Sequence, residues 1–146
     1  MSIPLARALE AVDLITGRGS YTTYLALMES PYVVDPDYMS DGLIATISGS
    51  ELSSAGYARQ TITWSVPVTN GDGYAESSND SILTFGPFTD PQGSGIEGVH
   101  GLAVVTAASG TAGTVRWGTL IDPAMLDAAQ NDTFTLAIGA VKVTSR

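Results

Sequence analysis

An alternating stretch near the middle of the chain places the strongest constraint on its fold. From Gly56 to Val68, apolar and polar side chains succeed each other almost strictly. Successive side chains of a β-strand point to opposite sides, so this pattern predicts a half-buried strand. Trp64 would then contribute the largest single burial, about 2–3 kcal/mol by area. Pro67 predicts that the strand ends there or lies at the edge of a sheet.

The two faces of this predicted strand differ in chemistry. The apolar face consists of Ala58, Ile62, Trp64, Val66 and Val68, with the polar Gln60 as the one exception. The other face consists of Tyr57, Arg59, Thr61, Thr63 and Ser65. We therefore expect the first face to lie against a core and the second to meet water. On the second face, Arg59 is expected to form an ion pair or to contact another subunit.

Composition narrows the possible function classes. The 146 residues include 6 lysines and arginines against 15 aspartates and glutamates, a formal net charge of −9. Binding to nucleic acid or to an anionic membrane depends on lysine and arginine, so both partners are disfavoured. The sequence has no cysteine, which excludes disulfides and thiolate catalysis. The N-terminus shows no apolar run suited to a signal peptide or a membrane span, so we expect synthesis and folding in the cytosol.

Residues 1–19 are predicted to form an N-terminal helix or arm, and residues 20–146 a single β-domain. Ser2 to Thr16 has helical spacing, with Pro4 in the first turn and Gly17 as the C-terminal cap. The apolar stripe of this helix is formed by Leu5, Leu9 and Val12. A helix of about three turns is marginal on its own in water. The stripe must therefore pack on the domain or on a neighbouring subunit.

The rest of the chain predicts short strands joined by turn-rich connections. Besides the central stretch, strands are predicted at Ser20–Met28, Leu43–Ile47, Ser81–Phe85, Val99–Thr106, Thr114–Ile121 and Thr133–Thr144. Loops or turns are predicted at Glu29–Ser54 apart from its short strand, Asn70–Gly73, Gly86–Gly98 and Ala108–Gly113. About seven short strands behind one helix predict a mainly β fold, namely an antiparallel β-sandwich of jelly-roll-like type with a short N-terminal helix.

Two local predictions concern the C-terminal part of the chain. Asp122 and Pro123 suit the start of a short helix that runs through Ala129. In the last predicted strand, the spacing of the apolar residues slips by one at Gly139. A β-bulge at this glycine would keep the apolar side chains on the core face.

Candidate catalytic and metal-binding residues are few. His100 is the only histidine, and Glu97 is the carboxylate nearest to it in the sequence. Nothing else shows metal-ligand spacing, so a structural role is favoured. The acidic run from Asp35 to Gly42 fails the calcium-loop pattern, since Met39 takes a ligand position and Ser48 stands where the bidentate glutamate belongs. Gly93–Gly95 lacks the lysine of a phosphate-binding loop. We therefore predict no catalytic residue, no cofactor and no metal.

Several stretches together resemble a family of short virion proteins of tailed phages. The most specific stretch is Leu52-Ser53-Ser54-Ala55-Gly56-Tyr57-Ala58-Arg59, preceded by Glu51 and followed by Gln60. The others are Tyr24–Leu27, Asn79–Phe85, Gly98–Val104, Trp117–Leu120 and Asn131–Phe134. The similarity extends from about Tyr24 to Val143. Members of this family are labelled head decoration, minor tail or tail-fibre proteins.

The resemblance implies a non-enzymatic β-sandwich that assembles as a homo-oligomer, expected to be a trimer, on a phage particle. The expected function is that of a capsid decoration (cement) protein, made in the host cytoplasm and located in the virion. Its expected partner is the major capsid protein, with no nucleic-acid or membrane partner. The expected interface residues are Leu5, Leu9, Val12, Tyr57, Arg59 and Trp64.

Two alternatives stay open. One is a minor tail or tail-fibre protein that binds tail proteins and a host glycan through Tyr32, Tyr38, Tyr74 or the Gly86–Gly98 loop. Aromatic side chains can form a sugar platform, although those at strand positions more often pack in a core or an interface. The other alternative is a small polysaccharide hydrolase. The lack of an evident carboxylate pair in the sequence disfavours it.

Overall fold

The part of the chain that the structure describes is built mainly from antiparallel β-strands. A computed structural model describes residues 5–29, 42–89, 96–127 and 132–145. Its helices are α1 (Leu5–Thr16) and the short α2 (Ile44–Ile47), which a 3₁₀ turn (Ser48–Ser50) follows. Its strands are β1 (Thr23–Met28), β2 (Gly42–Leu43), β3 (Gln60–Ile62), β4 (Val68–Thr69), β5 (Ala75–Ser78), β6 (Leu83–Phe85), β7 (Ile96–Val105), β8 (Thr114–Asp127), β9 (Phe134–Leu136) and β10 (Lys142–Ser145).

These strands form antiparallel sheets of five, three and two strands, with the orders β2-β8-β7-β1-β3, β10-β5-β4 and β6-β9. The predicted mainly β fold with a short N-terminal helix is confirmed. The jelly-roll-like sandwich stays a prediction. In the five-stranded sheet β1 is internal, because Leu25 pairs with Gln60 of β3 on one side and with Val104 of β7 on the other.

Two apolar clusters lie on opposite faces of the five-stranded sheet. The larger cluster contains four residues of β1 and β7, namely Leu25, Leu27, Leu102 and Val104. Helix α1 packs on them with Ala8 and Val12, and both smaller sheets contribute residues such as Phe85 and Val143. The smaller cluster takes the alternate residues Ala26, Met28, Ala103 and Val105, together with Ile44 and Ile47 of α2. Both faces of β1 and β7 are therefore buried, which explains their nearly continuous apolar sequence.

The continuous strand predicted at Gly56–Val68 is wrong, because this region holds two short strands, β3 and β4. Ile62 in β3 and Trp64 beyond it are buried, as expected. After Ile62 the chain leaves the five-stranded sheet, since Trp64 bridges to Asn79 and β4 pairs with β5 in the three-stranded sheet. This change of partner resets the alternation. The remaining members of the predicted apolar face are exposed: Ala58, Val66 and Val68.

The helix predicted from Asp122 to Ala129 is also wrong within the described residues. Strand β8 continues to Asp127, and its backbone pairs with the start of β7. The register shifts where His100 stands opposite the segment that contains Pro123. A proline is tolerated at such a bulge because its missing N–H costs no regular ladder bond. Residues 128–131, the end of that predicted helix, lie outside the described part of the chain.

The last predicted strand, Thr133–Thr144, is two strands in different sheets. β9 pairs with β6, whereas β10 pairs with β5. Gly139, with φ of +80°, lies in the turn between them rather than in a bulge, and Ile138 is exposed. The buried Asn79 side chain holds this turn. Its Nδ2 donates to the Ala137 carbonyl and its Oδ1 accepts from the Val141 N–H, both at 2.9 Å.

Both of the long loops predicted from the sequence contain regular secondary structure. In the first, the strand predicted at Leu43–Ile47 is wrong beyond Leu43, because Ile44 to Ile47 forms α2. Ile44 and Ile47 stand three residues apart and therefore lie on the same side of α2. Both are buried in the smaller apolar cluster. In the second, β7 begins at Ile96 rather than at Val99. Residues 30–41 and 90–95 of these loops lie outside the described residues.

Candidate functional site

Glu51, Tyr57 and Arg59 form a polar cluster within the described residues, which we call the Glu51 cluster. The Arg59 Nε and Nη2 donate to the two carboxylate oxygens of Glu51, each at 2.7 Å. The Tyr57 hydroxyl donates to Glu51 Oε1, also at 2.7 Å. The side chains of Arg59 and Glu51 are only 5% and 13% exposed. The ion pair is therefore bidentate, with charge-assisted hydrogen bonds, and it is largely removed from water.

The cluster also holds two neighbouring parts of the backbone. Arg59 Nη1 donates to the Ala107 carbonyl and Nη2 to the Gly110 carbonyl, both at 2.9 Å. These carbonyls belong to the loop between β7 and β8. The Tyr57 hydroxyl accepts a hydrogen bond from the Leu27 N–H of β1 at 3.1 Å. The cluster thus joins its own segment to the β7–β8 loop and to an internal strand.

A turn at Gly56 brings Tyr57 and Arg59 back towards Glu51. The Tyr57 N–H donates to the Ser54 carbonyl at 3.1 Å, and Gly56 has φ of +87°. That left-handed backbone favours glycine. A Cβ at position 56 would also clash with the Pro87 carbonyl oxygen. The Ser53–Gly56 run in the sequence therefore has two physical reasons to end in glycine.

The electrostatics of the Glu51 cluster fix the protonation of two of its members. Burial, together with the hydrogen bond to Glu51, raises the pKa of Tyr57 far above its ordinary value. The hydrogen bond to Glu51 raises the pKa of Arg59. Tyr57 is therefore neutral and Arg59 charged across the physiological range. Neither of these two side chains can act as a base near neutral pH.

A cleft of about 360 Å³ lies over this cluster. Besides the cluster itself, small side chains line most of it: Ser48, Ser53, Ala58, Ala108, Ser109 and Gly110. A second cavity of about 300 Å³ lies between the turn after α1 and the end of β3, where Trp64 contributes to its wall. The described residues that line the two cavities include neither histidine nor cysteine.

Of the six expected interface residues, the structure brings Tyr57 and Arg59 together in the Glu51 cluster and places Leu9, Val12 and Trp64 in or against the larger apolar cluster. Tyr57 and Arg59 lie in the Glu51 cluster, so the ion pair predicted for Arg59 is confirmed, although its predicted position on a water-facing strand is wrong. Val12 and Trp64 are buried in the core of their own chain, which leaves them almost no surface for another subunit. Trp64 Nε1 donates to Thr23 Oγ1 at 2.9 Å.

Two further members of that set belong to α1. Leu9 is partly buried against the larger apolar cluster. Leu5 begins the helix, and its side chain lies outside what the structure describes. An inter-subunit contact through Leu5, Leu9, Tyr57 or Arg59 stays a prediction. Sequence reasoning did not identify Glu51 as a site residue, although its position eight residues before Arg59, with a glycine turn between them, could have suggested the pair.

Among the described ranges, no group of three or more His, Cys, Asp and Glu side chains could hold a metal ion. His100 is partly buried in β7. Of the acidic run from Asp35 to Gly42, residues 35–41 lie outside the described residues. In the part of the chain that the structure covers, none of the helices is long and apolar enough to cross a membrane.

No model of a known protein family matches the chain, and no curated protein matches it either. The resemblance to tailed-phage virion proteins therefore stays a prediction from the sequence.

Proposed function

We propose that this chain is a non-enzymatic structural protein of a tailed-phage virion and that it decorates the outside of the head as an oligomer. The first support is the sequence resemblance, which is most specific at Leu52–Arg59 and extends over most of the chain. That family includes head and tail proteins. The experiments must therefore distinguish these two locations.

The observation that carries the proposal is the way the most specific stretch uses its polar groups. Glu51, Tyr57 and Arg59 direct their hydrogen bonds to one another and to backbone of the same chain. Arg59 uses four of its five N–H groups in this way. Side chains whose hydrogen bonds are already formed within the chain are poorly suited to catalysis and well suited to holding the backbone in place. The stretch therefore supports a structural role.

The β7–β8 loop, whose backbone Arg59 holds in place, is the surface that we propose contacts the major capsid protein. Residues 108–112 are exposed, while Arg59 holds the backbone at Ala107 and Gly110. A loop that is already ordered loses little conformational entropy when it binds. In an oligomer, several such contacts act together, since each contact after the first forms at high effective concentration. Weak individual contacts to the major capsid protein would then hold the oligomer on the head.

The location is tested by electron microscopy of virions labelled with a gold-conjugated antibody against this chain. Label distributed over the head supports decoration. Label confined to the tail contradicts decoration and supports the tail alternative. Absence of label from both intact and disrupted virions contradicts both. Light scattering after gel filtration tests the oligomer, because a stable species at the monomer mass of 15.1 kDa would contradict it.

One observation favours the alternative of a tail or tail-fibre protein that binds a host glycan. Tyr74, an aromatic residue expected to take part in such binding, is 37% exposed beside the β4–β5 turn. Tyr32 and Tyr38 lie outside the described residues. A host-glycan array on which wild type binds and Tyr74→Ala does not would support this alternative. An array without any bound glycan would count against it.

A further inference from the structure

The turn between β4 and β5 contains the one Asn-Gly dipeptide of the sequence. Of the asparagines at positions 70, 79 and 131, only Asn70 precedes a glycine. A glycine in that place leaves its backbone nitrogen open to the preceding side-chain amide, because no Cβ shields it. Asn70-Gly71 is therefore the position where this chain is chemically most prone to deamidation.

We propose that Asn70 is a deamidation site and that opening of the β4–β5 hairpin sets its rate. The Gly71 backbone nitrogen loses its proton and forms a bond to Cγ of Asn70. The Cγ–Nδ2 bond breaks, and Nδ2 leaves as ammonia with a proton in place of the one lost by Gly71. Water then opens the resulting succinimide ring at either carbonyl, which gives aspartate or isoaspartate. No oxidant or reductant takes part.

The native hairpin restrains both ends of the Asn70 amide. Its Oδ1 accepts hydrogen bonds from the Asp72 and Tyr74 N–H groups, both at 3.0 Å. Its Nδ2 donates to Glu76 Oε2 at 3.2 Å. Ring closure draws Cγ onto the Gly71 nitrogen and expels Nδ2, so these bonds must break first. The reaction therefore requires a local opening of the hairpin.

Deamidation would convert this restraint into repulsion. A carboxylate at position 70 has no donor for Glu76 and places a second negative charge beside it. Isoaspartate would also add one methylene to a turn that is closed by the bond from Gly73 N–H to the Asn70 carbonyl, 3.0 Å long. The modified hairpin is then less stable, and the edge strand β4 is held less firmly against β5.

The wild-type protein alone tests the central claim. Native protein and protein unfolded in denaturant are incubated at one pH and one temperature, and peptide mass spectrometry follows the conversion of amide to acid. The expected result is a mass gain in the peptide that contains Asn70, severalfold faster in the unfolded chain. Equal rates in the two states would overturn the proposal. A gain at Asn79 or Asn131 with none at Asn70 would overturn it too.

Three variants separate the restraint from the chemistry. Glu76→Ala removes the acceptor of Nδ2 and should raise the native rate severalfold, with the unfolded rate unchanged. Lys142→Gln is the matched control, because Lys142 Nζ stands 3.6 Å from Glu76 Oε1 and touches a different oxygen of that carboxylate. Its native rate should equal that of wild type. If native Glu76→Ala protein deamidated at Asn70 as slowly as wild type, the hydrogen bond from Asn70 Nδ2 to Glu76 would not limit the reaction.

Gly71→Ala tests the chemical step itself. Gly71 does not have a left-handed backbone, and a Cβ there would meet no described atom within 4 Å. The turn therefore tolerates the substitution, while the added methyl shields the attacking nitrogen. Deamidation at Asn70 should slow severalfold in both the native and the unfolded protein. An unchanged rate in the unfolded protein would contradict attack by the Gly71 nitrogen.

Discussion

The Arg59 guanidinium binds both carboxylate oxygens of Glu51, eight positions earlier in the chain, with both N···O distances at 2.7 Å. The pair is buried, and the same guanidinium also holds the carbonyls of Ala107 and Gly110. The loss of one partner would leave an unpaired charge in a place that water hardly reaches. A buried pair of this kind is costly to break even where it adds little net stability when intact.

We expect Arg59→Met to lower the free energy of unfolding by about 3–5 kcal/mol, the usual cost of breaking a buried ion pair. Arg59→Lys should be less damaging but still destabilising, since an ammonium keeps the charge without the bidentate geometry. Urea unfolding followed by circular dichroism measures both. Arg7→Met is the control, because Arg7 and Glu10 form an ion pair in which the side chains are 73% and 65% exposed. Its stability should match wild type. An Arg59→Met protein as stable as that control would contradict this expected cost.

The buried Asn79 should be nearly as important as Arg59. Its side chain makes hydrogen bonds to Ser81, Ala137 and Val141, each at 2.9 Å. Asn79→Ala removes all of these bonds. The expected loss is about 3 kcal/mol, at a net value near 1 kcal/mol for each bond. Urea unfolding measures the loss, and amide hydrogen exchange should become faster at Val141. The control is Thr84→Ala on the exposed face of β6. A loss no larger than that of the control would refute this role.

Local periodicity was sufficient to predict elements whose neighbours along the chain decide their structure. Helix α1 ends at Thr16 before Gly17, as its stripe and cap predict, and the Asn70–Gly73 turn joins β4 to β5. The alternation around Ile62 and Trp64 also gave the correct buried face for these two residues. The helix end and the turn depend on interactions within a few residues. Ile62 and Trp64, in contrast, keep the predicted face although their contacts with Thr23 are distant along the chain.

Pairing between segments that are distant along the chain explains why the other elements and the Glu51 cluster could not be predicted from the sequence. Val66 and Val68 continue the apolar pattern, yet they are exposed because the chain changes sheets after Ile62. Asp122-Pro123 has the composition of a helix start, but pairing with β7 holds it in a strand. The Glu51 cluster depends on the Gly56 turn and on carbonyls of the β7–β8 loop. Those carbonyls carry no side-chain pattern from which the contact could be predicted.

Three glycines should respond differently to alanine. Gly49→Ala should be nearly neutral, since its backbone is not left-handed and its Cβ would meet no described atom within 4 Å. Gly19→Ala should cost about 1–2 kcal/mol, because its φ of +78° is strained for an L-residue even where space is open. Gly56→Ala should cost more than Gly19→Ala, because it adds a clash with the Pro87 carbonyl to the same strain. Thermal or urea unfolding of the three variants gives the order. A Gly56→Ala protein as stable as Gly19→Ala would show that the approach of Pro87 does not matter.

Tyr57 should make the stability of the protein fall at alkaline pH. Its pKa is raised in the folded state by burial and by Glu51, so the folded protein keeps its proton. In the unfolded chain a tyrosine loses that proton near pH 10, its ordinary pKa being about 10. Above this pH the unfolded state binds fewer protons than the folded state, and stability must decrease as pH rises. The contribution of Tyr57 is therefore complete below pH ~10 and is lost progressively above it.

Two measurements check this linkage. The first follows tyrosinate absorbance, in which the native protein should titrate at least one tyrosine fewer near pH ~10 than the unfolded chain with its six tyrosines. The second compares urea unfolding of wild type and Tyr57→Phe over the alkaline range. Tyr57→Phe should be less stable at neutral pH, because the Leu27 N–H loses its partner, and its stability should fall less steeply with pH. The other titrating groups are common to both proteins, so the difference in slope belongs to Tyr57. Parallel slopes would mean that the Tyr57 hydroxyl titrates alike in the folded and unfolded states, which is incompatible with its burial against Glu51.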